Sequence, residues 1–140
     1  MGTGGQTLDD IYKYVKTTDR LAMACETLQW RHMAPTAPDT LCTPIRPTYG
    51  HFTFINTLLR TLGCYPYFKN DPFIITRTPH LYFIGNQPRF ESTLLTHKDG
   101  QKTRVVLIPR FSETGQVILV NPRNLDIKVL SIGTGWEESR

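Results

Sequence analysis

The residues of this 140-residue chain that could carry chemistry are few: four histidines, three cysteines, one pair of adjacent aspartates and two glycine-bearing stretches. His32, His51, His80 and His97 stand alone. No H-x-H, H-E-x-x-H or G-H-x-H occurs, so no two imidazoles are spaced to grip one metal ion. Cys25, Cys42 and Cys64 are widely separated and include no C-x-x-C, which reads as three reduced thiols. Asp9 and Asp10 are neighbours on a predicted helix, where adjacent side chains diverge. They suit the positive end of a helix better than a shared-proton carboxylate pair. Ser112 sits in Arg110-Phe111-Ser112-Glu113, which is no nucleophile elbow. Gly2 to Gln6 has the glycines of a phosphate loop without its Lys-Ser/Thr, and reads as a flexible or tightly turning loop. The remaining candidate is Pro79 to Pro88, PHLYFIGNQP. Leu81 to Ile84 form an apolar run that predicts a strand buried on both faces. Gly85, Asn86, Gln87 and Pro88 then predict a tight loop that ends the strand. A loop at the end of a core strand is where many α/β proteins place their chemistry. No nucleophile, base and orienting group stand at recognisable spacing around it, so the residues alone disfavour an enzyme.

The elements that would position these residues run from helices to strands. Thr7 can cap a short helix reaching about Val15, with Asp9 and Asp10 in its first turn. Thr17-Thr18-Asp19 opens a second helix, whose apolar stripe is Leu21, Ala24, Cys25, Leu28 and His32. Pro35 ends it, and Pro35 with Pro38 forces an extended path through MAPTAPDTL, where Asp39 and Thr40 suit a local turn. Residues 42–61 differ in character, with two arginines, no acid and an apolar-aromatic run around Phe52-Thr53-Phe54-Ile55. A strand is predicted after Pro72, and the PHLYFI strand follows. Ser92–Thr96 and Lys102–Ile108 flank an Asp-Gly hairpin signal, and Gln116–Val120 and Leu125–Ile132 flank Asn121-Pro122-Arg123-Asn124. Two helices, a proline-rich linker and five or six strands make an α+β order.

Length and composition fit one globular domain, with 39% hydrophobic and 20% charged residues. The longest apolar runs, Val105–Ile108 and Val117–Val120, are far too short to span a membrane. Gly2-Thr3-Gly4-Gly5 after Met1 resembles no signal peptide, which sets the expectation of cytosol or nucleus. A net charge of +4 is mildly basic, but its 16 Lys and Arg are scattered and read as a solvated surface.

Several motifs in order are specific enough to carry a resemblance. GTGGQTLDDI, with Asp9 and Asp10, is similar to the GTSGQ-x-x-DDI motif of the second, regulatory subunit of eukaryotic DNA polymerase delta. Arg31-His32-Met33-Ala34-Pro35-Thr36-Ala37-Pro38-Asp39-Thr40-Leu41 matches that family's RH-L-APTAPDTL. Leu62-Gly63-Cys64-Tyr65-Pro66 continues as LGCYP. Asp71-Pro72-Phe73-Ile74 matches DPFI, and Pro79-His80, Tyr82-Phe83 and Gly85-Asn86 match PH-x-YF-x-GN. Val120-Asn121 and Arg123 extend the likeness into the last hairpin.

The resemblance implies a fold and a role. The family carries an OB-fold and an inactive calcineurin-like phosphoesterase domain, a two-sheet β-sandwich flanked by helices. Residues 1–134 resemble the C-terminal portion of that domain, interrupted by residues 42–61, with 135–140 a polar tail and the OB-fold absent. Active members of the superfamily end a core strand with G-H-x-H, whose histidines hold catalytic metal. Here that place reads Gly85-Asn86-Gln87-Pro88, so the resemblance implies no metal, no cofactor and no catalysis. The role it implies is scaffolding in DNA replication and repair synthesis, in the nucleus. Such a scaffold would bridge the catalytic subunit's C-terminal domain and the third, clamp-binding subunit, meeting DNA indirectly through the holoenzyme and no membrane. The alternative is a metal-dependent phosphoesterase or exonuclease fragment; a direct DNA-binding module is a further rival. The family runs from APDTL straight into GCYP, so residues 42–61 are expected to be a retained intron or mis-set exon boundary rather than a functional loop.

Overall fold

A computed structural model describes residues 1–37 and 69–133. Pro38, Asp39, His51, Cys42, Cys64, Tyr65, Pro66, the 42–61 block and the 135–140 tail lie outside the described residues. The elements are β1 (Gly2–Thr3), α1 (Gln6–Tyr12), α2 (Arg20–Gln29), β2 (Leu81–Gln87), β3 (Glu91–Thr96), β4 (Lys102–Pro109), α3 (Phe111–Thr114), β5 (Gln116–Val120) and β6 (Ile127–Ser131). One sheet has the order β1-β2-β4-β3, and β5 and β6 form a second, two-stranded sheet. β1, β2 and β4 are parallel, while β3 pairs antiparallel with β4. The mixture of helices and sheets agrees with an α+β class.

The helices and the sheet make one core. Tyr82 and Ile84 of β2 and Val105 and Leu107 of β4 alternate onto one face. Leu8 and Ile11 of α1, with Met23, Ala24 and Leu28 of α2, cover it. Of the stripe expected on the second helix, Ala24 and Leu28 are buried, Leu21 and Cys25 are partly buried at its edge and His32 lies beyond the helix, while Met23 and Thr27 complete the buried face. Truncating Ile84, which is 0% exposed, to alanine would cost about 2–5 kcal/mol. The helix start was also legible: the Asp19 carboxylate accepts the Ala22 N–H at 2.9 Å, satisfying an otherwise unpaired amide of the first turn.

Six expectations need correction. The second helix ends at Gln29, not at Pro35, because Arg31 turns into a left-handed conformation and His32 pairs with Ile74 instead. Gly2–Thr3 is a short strand, not a flexible loop: Gly2 aligns with Phe83 and Thr3 with Ile84. The α1 cap is Gly5 rather than Thr7, and the helix stops at Tyr12, short of Val15. β2 is buried on one face only, because α1 and α2 cover a single side; Phe83 remains 40% exposed. It also continues through Gly85 and Asn86 to Gln87 across a shift in register. Asn86 takes φ +54°, a conformation its short polar side chain tolerates, so the bulge absorbs the turn without ending the strand. Finally, residues 71–75 make no strand of their own. Ile74 forms an isolated bridge to His32, and the segment docks against the chain leaving α2.

Candidate functional site

Three elements converge on the carboxyl end of β2. Gly5, at φ +99°, lets the chain turn from β1 into α1, and a side-chain Cβ there would lie 2.2 Å from the Gly85 carbonyl oxygen. Only glycine fits so close an approach in that conformation. The Asn86 side-chain amide donates to the Gly4 carbonyl at 2.8 Å, tying the bulge to the β1–α1 turn. Gln87 is wholly buried. Its Nε2 donates to the Gly85 carbonyl at 3.0 Å and its Oε1 accepts from Arg20 Nη1 at 3.0 Å. The same Arg20 nitrogen donates to Asp9 Oδ1 at 2.5 Å. The Arg20 guanidinium carbon also lies 4.5 Å from the centre of the Tyr12 ring, within cation–π range.

A cation is therefore already present at this strand end, and it belongs to the protein. Arg20 sits between a carboxylate, a buried amide oxygen and an aromatic face. The donor set does not fit a metal site: Gln87 Oε1 is committed to Arg20, Asn86 Nδ2 is a donor, and Pro88 has no ligand atom. Among the described residues no three His, Cys, Asp or Glu side chains gather closely enough to hold an ion. Asp9 and Asp10 diverge as expected: Asp9 meets Arg20, while the buried Asp10 accepts from Lys13 Nζ at 3.1 Å.

The second cluster is a staple between the end of α2 and residues 71–75. His32 Nδ1 accepts the Ala34 N–H at 3.2 Å, which leaves Nε2 to carry the proton and donate to Asp71 Oδ2 at 2.7 Å. Asp71 Oδ1 accepts the Phe73 N–H at 2.8 Å, and backbone bonds run from Met33 N to Phe73 O and from Ile75 N to Arg31 O. Arg31 holds φ +54°, a left-handed conformation that costs on the order of 1–3 kcal/mol in a non-glycine residue. The staple explains why Arg31, His32, Asp71, Pro72 and Phe73 belong together: they bring Ile75 into the core at 2% exposure. Pro35 lies just beyond this staple, outside any helix.

Pro79 and His80 are placed elsewhere, at the amino end of β2. The Pro79 carbonyl accepts the buried Thr103 hydroxyl at 2.6 Å, and Thr103 Oγ1 pairs with His97 Nε2 at 2.8 Å. The His80 side chain is exposed. Arg20 is the functional residue that sequence reading missed. It opens α2 one turn before the buried Ala24, on the core-facing side of the helix, and only the fold sets it against Gln87. Two groups, the buried Tyr82 and the partly buried Cys25, are shifted towards their uncharged forms. Burial pushes the Tyr82 phenol up, partly offset by its hydrogen bond with Thr27. Burial, then Asp19 and Glu26, push the Cys25 thiol up, so it is a poor nucleophile.

The described residues form a mixed α/β unit whose β2 strand end is filled by its own side chains. Its lineage is specific. Residues 1–92 match the model of the DNA polymerase alpha/epsilon B-subunit family, and the chain belongs to that family. It is 40% identical over 137 residues to the DNA polymerase delta small subunit of Oryza sativa and 40% over 139 residues to that of Arabidopsis thaliana. It is 35% identical over 138 residues to the DNA polymerase delta subunit 2 of Drosophila melanogaster. These alignments take in 98%, 99% and 98% of this chain, which spans 27% of the length of each relative.

Proposed function

We propose that this chain is a non-catalytic, scaffolding portion of the DNA polymerase delta regulatory subunit, working in the nucleus in replication and repair synthesis. Its fold is taken as the C-terminal part of an inactive calcineurin-like phosphoesterase domain. Its partners are the catalytic subunit's C-terminal domain and the clamp-binding third subunit, and assembly itself is its mechanism. The observation that carries this reading is the Arg20–Gln87–Asp9 contact. A protein guanidinium occupies the strand end where active superfamily members hold metal, and Gly85-Asn86-Gln87-Pro88 replaces their G-H-x-H. Family membership and the delta-type relatives support it from the sequence side. The 42–61 block is a splicing or gene-model insertion, to be read directly from the transcript across Leu41–Leu62.

The test is co-expression of the full chain with the catalytic subunit's C-terminal domain. A stoichiometric complex without manganese-dependent hydrolysis of DNA supports the reading. Turnover that disappears in Asn86→Ala would establish the phosphoesterase alternative instead.

A further inference from the structure

Five cationic or basic residues that are scattered along the sequence meet at the amino end of β2. Two adjoining hollows of about 500 and 600 Å³ share Arg31, Thr78 and Asp99 as lining. Arg77 and His80 line one and His97 and Lys98 the other. None of the ion pairs among the described residues uses Arg31, Arg77 or Lys98. Asp99 is the single acid lining either hollow, and its Oδ1 already accepts the Gln101 N–H at 3.2 Å within the hairpin turn. His97 is held by Thr103, so the groove is built on ordered side chains and backbone. Arg31 is fixed by its left-handed backbone and the Ile75 hydrogen bond.

We propose that this groove holds the phosphodiester backbone of duplex DNA, without reading sequence. Guanidinium and ammonium groups without an ion pair among the described residues, beside the hydroxyls of Thr76, Thr78 and Thr96, are the usual partners of phosphate oxygens. Among the described residues no Phe, Tyr or Trp ring lines the groove to stack an unpaired base. An acidic peptide fits less well, because, of the apolar lining residues, Leu28 and Ile75 are 5% and 2% exposed and only Leu95 and Pro79 offer partly open apolar surface to an anchoring side chain. The proposal rests on the polymerase-subunit reading, which brings the chain close to DNA, and adds a direct contact to the indirect one described above.

Fluorescence anisotropy of a short labelled duplex, titrated with the full chain at several salt concentrations, tests it. Three neutralised phosphates give a slope of log K against log salt of about −2.7. Replacing Arg31, Arg77 and Lys98 by glutamine should bring that slope close to zero, about 1 for each cation removed. The Arg123→Gln/Lys128→Gln change on the β5–β6 hairpin, which removes two cations away from the groove, should leave it unaltered. Arg77→Glu alone, with a thermal melt, serves if the triple variant does not fold, and should weaken DNA binding at an unchanged melting temperature. Salt-insensitive binding, or wild-type affinity in either groove variant, overturns the proposal. Preferential capture of a polyglutamate peptide, lost in the triple variant, overturns it in favour of an acidic protein segment. Complex formation with the catalytic subunit's C-terminal domain should persist in the groove variants, so failure here is separable from failure of the scaffolding reading.

Discussion

The two ends of β2 use the same kinds of side chain to opposite ends. At its carboxyl end, Arg20 is spent on Asp9, Gln87 and Tyr12, and the buried Gln87 amide is satisfied at both oxygen and nitrogen. At its amino end, Arg31, Arg77 and Lys98 face an open groove without an ion pair among the described residues. A cation paired inside a protein holds elements together; one left facing solvent in a concavity attracts a partner. The carboxyl end is a closed structural joint, and the amino end is a hollow left open among the described residues. The joint lies where the family resemblance would have put chemistry, and the groove where no motif pointed.

Breaking the joint should give the largest effect. Gly5→Ala places a methyl group 2.2 Å from the Gly85 carbonyl in a conformation that disfavours alanine, so the protein should lose about 3 kcal/mol or more in urea denaturation. A loss under about 1 kcal/mol would mean that the β1–α1 turn is not locked to β2. Arg20→Ala comes next. It leaves the wholly buried Gln87 oxygen without its donor, and should cost about 2 kcal/mol while creating no phosphoesterase activity. The half-exposed Asp9 returns to water and adds little.

Tyr82→Phe sharpens the core between the two ends. Its hydroxyl lies 3.4 Å from Thr27 Oγ1, and Thr27 keeps its own bond to the Ala24 carbonyl, so the cost should be about 1 kcal/mol or less. The pH dependence is more informative. The folded state raises the phenol above its ordinary value near 10, so its contribution is intact below that pH and lost as pH rises further. Melting temperature should fall at alkaline pH in the wild type and less steeply in Tyr82→Phe. The smallest stability effect belongs to the groove: neutralising Arg31, Arg77 and Lys98 should change unfolding free energy by under about 0.5 kcal/mol. A large loss there would make the groove a second joint and erase the contrast.

Much of the framework was legible in the residues. Asp19 capped the helix its position predicted, Ala24 and Leu28 of the expected stripe became part of the buried face, and Asp99-Gly100 and Asn121 to Asn124 marked the two hairpins. These are local signals, set by hydrogen bonds and periodicity within a few residues. What misled was also local. Gly85 and Asn86 are turn residues by type, yet a bulge kept them in the strand, and the apolar LYFI run suggested two buried faces although helices cover one. Asp71–Ile75 has strand-forming residues, but its hydrogen-bond partners are residues 31–33.

The sequence by itself determined the lineage, because the ordered motifs from GTGGQ to GN are carried by residue identity alone. It also determined that Pro88 contributes no metal ligand, since side-chain chemistry needs no fold to be known. Only the tertiary structure decided what stands at that strand end and what stands opposite. Arg20 and Gln87 are 67 residues apart, and Arg31 and Lys98 are joined by no periodicity. Their meeting depends on parallel pairing of β1, β2 and β4 under the two helices, a long-range arrangement that no short stretch of chain encodes.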